Sequence, residues 1–540
     1  MPRRWLLASV PVAFFAVLFV YPVTSIIGRG LYSDDGWHLE AVTDVASNPA
    51  LRRVAWFTLW QAVLSTALTL CVGLPAAYCF ARLAFRGKRV LWAALVVPFV
   101  LPTVVVASAV LGVVGPRGLL GVELQGTVWA ILIAHVLFNY AVVVRTVGAF
   151  WANLDPTLEE AARVTGASAW RAFVEVTWPL LRPAVLAAAS IVFLFTFTSF
   201  GVVLLLGGPG YNTLEVEIYT QTARLLNLDV AAVLALLQFA AVLCMLLIYS
   251  RYAHRRGTPL RLRAADESAH RPRGLAQRSL LVANLAFMTL LLGVPLGMLV
   301  ARSLGGTGGF WAHYLDLGSS RRGSVLFVSP LEAVRNSLVF ASAATLVALV
   351  IGGLASLAIA GTGASRRGGR WLDVALMVPL GTSAVTVGFG FLIALDSGPL
   401  DLRDSIVLIP LAHALVATPF VIRAMVPALR SIDPSLREAA SVLGASPGRS
   451  WMAVDLPIVS RGLAAATGFA FAVSLGEFGA TVFLARPDWP TLPIAIYRFL
   501  GQPGPSNFGQ AMALSTILMM LTVVAVLAID RWRVGSAGEF

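Results

Sequence analysis

The stretch that decides the fold occurs twice in the chain. DPTLEEAARVTGAS occupies residues 155–168 and DPSLREAASVLGAS occupies residues 433–446, with ten of the fourteen positions identical. The offset of 278 residues persists outside the stretch, since it also relates His135 to His413. A repeat of this length indicates a fold built from two related halves.

Each copy has the features of a short helix with a defined start and end. An Asp-Pro pair opens it, so the aspartate caps the helix and the proline takes the first helical position. Glu160 and Glu438 fall in the first turns, where the helix dipole favours a carboxylate. Gly166 and Gly444 end the helix. The sequence therefore predicts a small, polar-tipped helix between two apolar segments, suited to a groove on a partner.

The pattern Glu-Ala-Ala, three residues, Gly, then an aromatic residue, Val and Pro resembles the Glu-Ala-Ala loop of the membrane permeases of ATP-binding-cassette importers. The resemblance implies that the loops couple the chain to an ATPase through Glu160, Ala161, Ala162, Gly166, Glu438, Ala439, Ala440 and Gly444. Arg437 stands where the first copy has Glu159, and Trp451 stands where the family has Phe, so the two copies need not couple equally. The alternative is a plain cytoplasmic loop that was duplicated with the rest of the chain.

The composition is that of a polytopic membrane protein. The 540 residues are 58% hydrophobic and 12% charged, whereas charged residues make up about a quarter of a soluble protein. Three cysteines, Cys71, Cys79 and Cys244, lie in apolar runs without metal or redox spacing and are interpreted as packing residues. The net charge of +13 is explained by basic loops on one side of the membrane and does not indicate nucleic-acid binding.

The lysine content excludes one function. Lys88 is the only lysine and is followed by Arg89, whereas a phosphate-binding P-loop needs Lys followed by Ser or Thr. Any ATP hydrolysis must therefore occur on another polypeptide. We expect no catalytic residues in this chain, which is not an enzyme by this interpretation.

Apolar runs of about 20 residues predict twelve spans. They lie at residues 5–27, 55–81, 91–114, 127–147, 184–206, 228–250, 279–301, 333–361, 371–396, 405–429, 458–485 and 508–530. Because six spans separate equivalent positions, the halves are parallel repeats related by an axis along the membrane normal. The prediction is an all-α polytopic membrane protein with 12 transmembrane helices as two parallel six-helix repeats. Residues 535–540 are left outside this interpretation.

The repeat sets the predicted domains. They are a first permease half at 1–250 with its coupling loop at 155–183, a basic cytoplasmic linker at 251–278, and a second half at 279–540 with its coupling loop at 433–461. The linker carries eight arginines and is either a solvated connection or a contact for anionic membrane lipid. Arginines concentrate on the side of the linker and both loops, which the positive-inside rule assigns, with both termini, to the cytoplasm.

Ionisable groups inside apolar spans are candidates for function because their burial is costly. Glu477 lies in the predicted eleventh span, and its counterpart in the first half is Ser199. A carboxylate on one side of a two-fold pathway would favour a cation; the alternative is a glutamate that packs helices through a hydrogen bond. His135 and His413, being duplicated, are interpreted as packing residues, and no metal site is expected.

Aromatic residues mark the predicted outer mouth of the pathway. Phe200 and Phe478 follow Ser199 and Glu477, and a second repeated phrase ends at Tyr219 and Tyr497. These residues are predicted to form a gate or a surface for a substrate-binding protein. The alternative is an interfacial helix whose tyrosine anchors at the lipid headgroups.

The phrases SLGEFG at 474–479 and LGGPG at 206–210 are similar to those of the thiamine and ferric-iron branch of these importers, whose members are also fused. The resemblance implies two copies of a cytoplasmic ATPase that bind ATP and Mg, an extracytoplasmic binding protein, no cofactor in this chain, and a bacterial inner (plasma) membrane location. It implies alternating access for a small cation, with thiamine favoured and ferric iron close behind.

Two other classes of protein compete with this interpretation. An ion-gradient-driven secondary transporter can also have twelve spans in two parallel halves, and it would need no ATPase. A membrane enzyme or receptor would show clustered catalytic groups or a soluble domain, which this sequence lacks.

Overall fold

The structure is a computed structural model that describes residues 2–33, 36–37, 40–116, 118–255, 269–306, 308–319, 325–360, 366–396 and 401–534. Its α-helices are α1 (Pro2–Phe15), α2 (Tyr21–Leu31), α3 (Glu40–Ser47), α4 (Pro49–Arg82), α5 (Lys88–Ala94), α6 (Val96–Val100), α7 (Thr103–Val114), α8 (Val128–Ala152), α9 (Thr157–Val164), α10 (Ala169–Ala172), α11 (Trp178–Phe197), α12 (Gly201–Leu206), α13 (Leu214–Ala223), α14 (Leu228–Arg255), α15 (Gly274–Met288), α16 (Val294–Ser303), α17 (Ala312–Leu315), α18 (Pro330–Ala360), α19 (Arg366–Met377), α20 (Ala384–Ala394), α21 (Leu408–Arg430), α22 (Pro434–Val442), α23 (Pro447–Ser450), α24 (Leu456–Leu475), α25 (Thr481–Leu484), α26 (Leu492–Leu500) and α27 (Pro505–Val534). Two short antiparallel strands, β1 (Tyr32–Ser33) and β2 (Gly36–Trp37), complete the described elements.

The helical content confirms the prediction of an all-α membrane protein. Within the described ranges, nine helices are long and apolar enough to cross a membrane, and up to eleven if each of two bent pairs is one span. The nine are Leu7–Leu31, Pro49–Arg82, Val128–Ala152, Ala169–Phe197, Leu228–Ile248, Gly274–Ser303, Pro330–Ala360, Leu408–Arg430 and Pro505–Ala528. The predicted count of twelve is therefore not confirmed.

The third predicted span of each half is broken. Residues 91–114 were expected to form one helix, but Lys88–Val100 and Thr103–Val114 meet at 104°. Pro102 stands at the break, where it lacks an N–H for the helix ladder and disfavours a helical conformation of the residue before it. In the second half a 3₁₀ turn at Val378–Gly381 separates α19 from α20. An apolar run thus marks membrane burial without guaranteeing a straight helix.

The fifth predicted span of each half is shifted along the chain. Helix α11 ends at Phe197 and α24 ends at Leu475, before the expected ends at 206 and 485. On the other side, a π-helical turn at Phe173–Thr177 or Trp451–Asp455 joins each span to a four-residue helix. Ser199 and Glu477 therefore lie in breaks after the long helices and not within them.

The described chain divides into two compact units. One unit comprises Met1–Ala46, Ile218–Phe239 and Ser303–Phe540, and the other comprises Ser47–Glu217 and Ala240–Arg302. Helices α18, α21 and α24 pack together in the first unit, and α4, α8 and α11 pack together in the second. Each core also receives the first span of the other half, since α1 packs on α18 and α15 packs on α4.

The compact units cut across the predicted boundaries at 250 and 279, which follow the sequence repeat. The division into domains therefore stays a prediction. Residues 256–268 of the predicted linker and the tail at 535–540 lie outside the described residues.

One glycine in each half allows close packing of two long helices. A Cβ added to Gly73 would stand 2.7 Å from Cγ1 of Val143, and one added to Gly352 would stand 2.7 Å from Cγ1 of Val421. Small residues let membrane helices approach closely and gain van der Waals contact. The same contact recurs because the valines, like the loop motifs, are 278 residues apart.

Candidate functional site

The two repeated loops form capped helices as the sequence predicts. The carboxylate of Asp155 accepts hydrogen bonds from the backbone N–H of Thr157 at 3.0 Å and from its hydroxyl at 2.8 Å. Asp433 accepts from the backbone N–H of Ser435 at 2.9 Å. Hydrogen bonds from the backbone N–H and hydroxyl of Ser435 lower the pKa of Asp433 below its ordinary value. The aspartates thus fix where α9 and α22, called here the loop helices, begin.

The loop helices end in the same closed turn. Gly166 has φ +97° and Gly444 has φ +78°, the left-handed conformation that favours glycine. The N–H of the residue after each glycine donates back to the helix, to the carbonyl of Ala162 at 3.1 Å and of Ala440 at 2.9 Å. This is the Schellman arrangement, which satisfies carbonyls at a helix end. A Cβ on either glycine would meet no other atom within 4 Å, so both glycines face open space.

The tips of the loops expose carboxylates beside apolar side chains. Glu160, Ala161, Glu438 and Ala439 are exposed, while Ala162 and Ala440 are half-buried. Large apolar side chains are also exposed on the same loops: Val164 at 87%, Trp170 at 74%, Val442 at 87%, Leu443 at 86% and Met452 at 66%. Apolar side chains clustered within a polar rim are typical of protein interaction surfaces. The sequence-predicted coupling residues therefore lie together on surfaces that could bind a partner.

Each loop helix is bonded to the start of the following long helix. In the first loop, the hydroxyl of Thr177 donates to the Glu159 carboxylate at 2.9 Å. In the second loop, Nε of Arg437 donates to the Asp455 carboxylate at 2.7 Å. Thr177 and Asp455 are the residues that precede α11 and α24. The Glu159-to-Arg437 departure in the motif is thus matched by a second departure eighteen residues later.

Sequence reasoning missed Thr177 and Asp455. A signal was present, because these two positions are themselves 278 residues apart and differ in the same step as Glu159 and Arg437. The pairing could have been suspected from that coincidence. Only the structure shows that the two positions touch.

A histidine joins three elements in the first half. His135 lies on α8, and its Nδ1 is 3.0 Å from the Ser65 hydroxyl on α4. Its Nε2 is 2.8 Å from the hydroxyl of Ser199, in the break before α12. All three side chains are buried. The predicted pathway residue Ser199 is therefore bonded into the packing of α4 and α8.

The matching histidine in the second half meets a different set of groups. Nδ1 of His413 is 3.0 Å from the Ser474 hydroxyl, and its Nε2 is 2.8 Å from the Thr481 hydroxyl. Glu477 accepts from the N–H of Ala480 at 2.8 Å, the N–H of Thr481 at 3.0 Å and the Thr481 hydroxyl at 2.5 Å. Its carboxylate also lies 3.4 Å from Nε2 of His413.

These bonds agree with a packing role for Glu477. The residue is 6% exposed, and its carboxylate caps the first N–H groups of α25. A buried carboxylate with this many donors is well compensated. A role of Glu477 in the substrate pathway stays a prediction. Within the part of the chain that the structure describes, no group of three or more His, Cys, Asp or Glu is placed to hold a metal.

The predicted aromatic residues lie near one another in part. Phe478 and Tyr497 pack with ring centroids 5.6 Å apart, and Tyr219 packs on Phe483 at 5.7 Å. Tyr219 and Tyr497 also share a side-chain hydrogen bond. Phe200 is buried, at 6% exposure. Tyr219 and Tyr497 are equivalent positions of the repeat, and equivalent residues can touch only near an axis that relates the repeats.

Comparisons with known proteins agree with this geometry. A family model described as "Binding-protein-dependent transport system inner membrane component" matches residues 69–257. The thiamine transport system permease protein ThiP of Escherichia coli (strain K12) is 28% identical over 496 residues, which cover 88% of this chain and 88% of that protein. The putative 2-aminoethylphosphonate transport system permease protein PhnV of Salmonella paratyphi A (strain ATCC 9150 / SARB42) is 30% identical over 200 residues, which cover 37% of this chain and 74% of that protein.

Among solved structures, a bacterial ABC transporter involved in the import of the acidic polysaccharide alginate matches with TM-score 0.42 and 16% identity, covering 48% of this chain and 98% of its own. The repeated motifs, the helical membrane fold and the matches in sequence lead to one assignment. The chain belongs to the family of binding-protein-dependent transport system inner-membrane components, the translocation subunits of ATP-binding-cassette importers.

Proposed function

We propose that this chain is the translocation subunit of a thiamine importer driven by a separate ATPase. The observation that carries the coupling role is the pair of loop helices, each capped by aspartate, closed by a left-handed glycine and flanked by exposed apolar side chains. Two such helices on one chain suit two copies of an ATPase, one copy for each loop. ATP and Mg would be bound by those subunits.

Thiamine is supported by the relatives that match over nearly the full length of the chain, because they are named as thiamine transport permeases. This favours thiamine over ferric iron, which the sequence phrases left open. Membership of the binding-protein-dependent family also favours an ATPase over an ion gradient as the source of energy. An extracytoplasmic binding protein would deliver the substrate to the mouth near Tyr219 and Tyr497.

The proposed cycle follows alternating access. Closure of the ATPase dimer would draw α9 and α22 together, and this movement would open the pathway outward; hydrolysis would reset it. The loops and both termini lie in the cytoplasm in this proposal, which places the arginine-rich segments on the inner side of a bacterial membrane.

The glycine turns give a direct test of coupling. Replacing Gly166 and Gly444 by leucine should abolish uptake of radiolabelled thiamine by the reconstituted complex, while insertion of the chain into the membrane is kept. The side chains would project into the open space beside each loop helix and block a docked partner. Uptake by proteoliposomes and copurification of the ATPase measure the two effects.

Gly87 is the matched control. It has φ +81°, and a Cβ there would meet no other atom within 4 Å, so Gly87→Leu introduces similar backbone strain outside the repeated loops. We expect the Gly87→Leu variant to retain uptake. Wild-type uptake by the Gly166→Leu, Gly444→Leu double variant would overturn the coupling role.

The substrate is tested separately from coupling. A complex of the wild-type chain with its ATPase and binding protein should accumulate radiolabelled thiamine in an ATP-dependent manner. If the ATPase copurifies but thiamine is not accumulated, the substrate assignment fails and the permease assignment remains.

A further inference from the structure

The side-chain bonds at 159–177 and 437–455 occupy the same place in both repeats. Each joins the first turns of a loop helix to the residue that precedes a long helix, and each spans eighteen residues of chain. The chemistry differs between them. In the first loop the carboxylate is on the loop helix, and in the second it is at the start of the long helix.

The buried partner of each bond explains why both positions change together. Thr177 is 4% exposed and Asp455 is 6% exposed, whereas Arg437 has a half-exposed side chain. A buried carboxylate such as Asp455 is costly without a partner that supplies charge and donors. Arg437 supplies both. A threonine at position 177 instead needs only an acceptor, and Glu159 provides it.

The backbone between the bonded residues is weakly constrained. From Gly166 to Thr177 the chain passes a left-handed turn, a helix of four residues and a π-helical turn, and the second loop has the same sequence of elements. Short helices and π-turns are the places where helices most readily bend. Without a side-chain bond, a displaced loop helix could swing about this segment and leave the long helix behind.

We propose that the 159–177 and 437–455 bonds are struts that transmit movement of the loop helices to α11 and α24. Thr177 and Asp455 are then positioning residues for coupling, although neither lies in the repeated motif. This inference rests on the proposed function, since it concerns how an ATPase that docks on the loop helices would move the pathway.

The test uses the complete complex of chain, ATPase and binding protein, and a readout that does not require the substrate. Addition of ATP and vanadate to the wild-type complex should change hydrogen–deuterium exchange in the outer segments 207–213 and 485–491. In Arg437→Glu, which places two carboxylates together, this change should fall about fivefold, as expected for the loss of one coupled pair. The double variant Arg437→Glu, Asp455→Arg restores an ion pair of reversed polarity and should recover most of the change.

Thr177→Val tests the first strut without altering charge or volume, which protects the test if the buried arginine of the double variant fails to fold. It should lower the exchange response, and Thr177→Ser should retain it. Arg449→Glu is the charge-matched control, because Arg449 is exposed on the second loop outside the strut. We expect Arg449→Glu to respond as the wild type.

Three results would overturn the strut. They are a wild-type response in both Arg437→Glu and Thr177→Val with the ATPase bound, no recovery in a folded double variant, or an equal loss in Arg449→Glu. Failure of the ATPase to copurify with the wild-type chain is a different result, since it contradicts the proposed function itself.

Discussion

The two histidine-centred joints hold the same positions of the fold with different chemistry. His135 bridges two serine hydroxyls, on α4 and in the break after α11. His413 instead meets Ser474 and Thr481, and Glu477 adds a buried carboxylate to the group. The histidine position is kept, while the residues that satisfy it have been exchanged.

The outer loops show the same exchange. In the first half, Gly126 donates its N–H to Leu206 at 2.8 Å, and a Cβ on Gly208 would stand 2.8 Å from Cα of Gly126. In the second half the equivalent positions are Asp404 and Arg486, which form an ion pair. A backbone contact in one half is thus a side-chain contact in the other. The comparison teaches that the repeat preserves which segments meet, whereas the groups that join them vary in matched pairs.

The largest difference between the halves is expected at the histidine joints. Glu477→Ala would leave two backbone N–H groups and a buried histidine without their acceptor, at a cost of about 3 kcal/mol in the free energy of unfolding. Ser199→Ala removes one hydroxyl partner of His135 and should cost about 1 kcal/mol. Reversible unfolding by SDS in detergent micelles measures both. Equal losses would show that Glu477 is not part of the packing, and would favour a role in the pathway.

The close glycine contacts should respond equally in the two halves. Gly73→Ala and Gly352→Ala would each place a Cβ well inside contact distance of a valine, at a cost of about 2 kcal/mol. Val143→Ala and Val421→Ala, respectively, should relieve the clash in double variants. The same unfolding assay applies, and a cost confined to one half would break the symmetry inferred for the two cores.

The smallest effect is expected at the outer loops. Asp404→Ala removes an exposed ion pair, and such pairs contribute about 0.5 kcal/mol. Gly208→Ala forces apart two backbones and should cost about 1.5 kcal/mol. The ion pair alone should also weaken with added salt. If Asp404→Ala were the more destabilising variant at high salt, the two outer contacts would not be equivalent.

Much of the fold followed from patterns within a short length of sequence. The loop helices were predicted from Asp-Pro and Gly because capping and left-handed turns depend on neighbouring residues. Long apolar runs predicted membrane helices for a similar reason. The broken third spans were not predicted, because Pro102 and Pro379 lie inside apolar runs and hydrophobicity does not register a lost hydrogen bond.

The candidate site was predicted in its motif residues and missed in its partners. Glu160, Gly166, Glu438 and Gly444 were identified from the repeat, and the structure places them on exposed, capped loops. Thr177 and Asp455 stand outside the motif, so their contacts depend on how the chain folds back through a π-turn. The ends of α11 and α24 likewise depend on bonds from residues that are distant in the chain.

By itself the sequence determined that this is a helical membrane protein of two repeats, with a capped loop helix in each and no P-loop of its own, because composition, caps and repeats are local or linear properties. The tertiary structure decided that Glu477 caps a short helix beside His413, that each loop helix is bonded to the long helix after it, and that the first span of each half packs on the core of the other. These features join residues far apart in sequence, and the free energy of such contacts depends on burial and geometry that only the folded chain supplies.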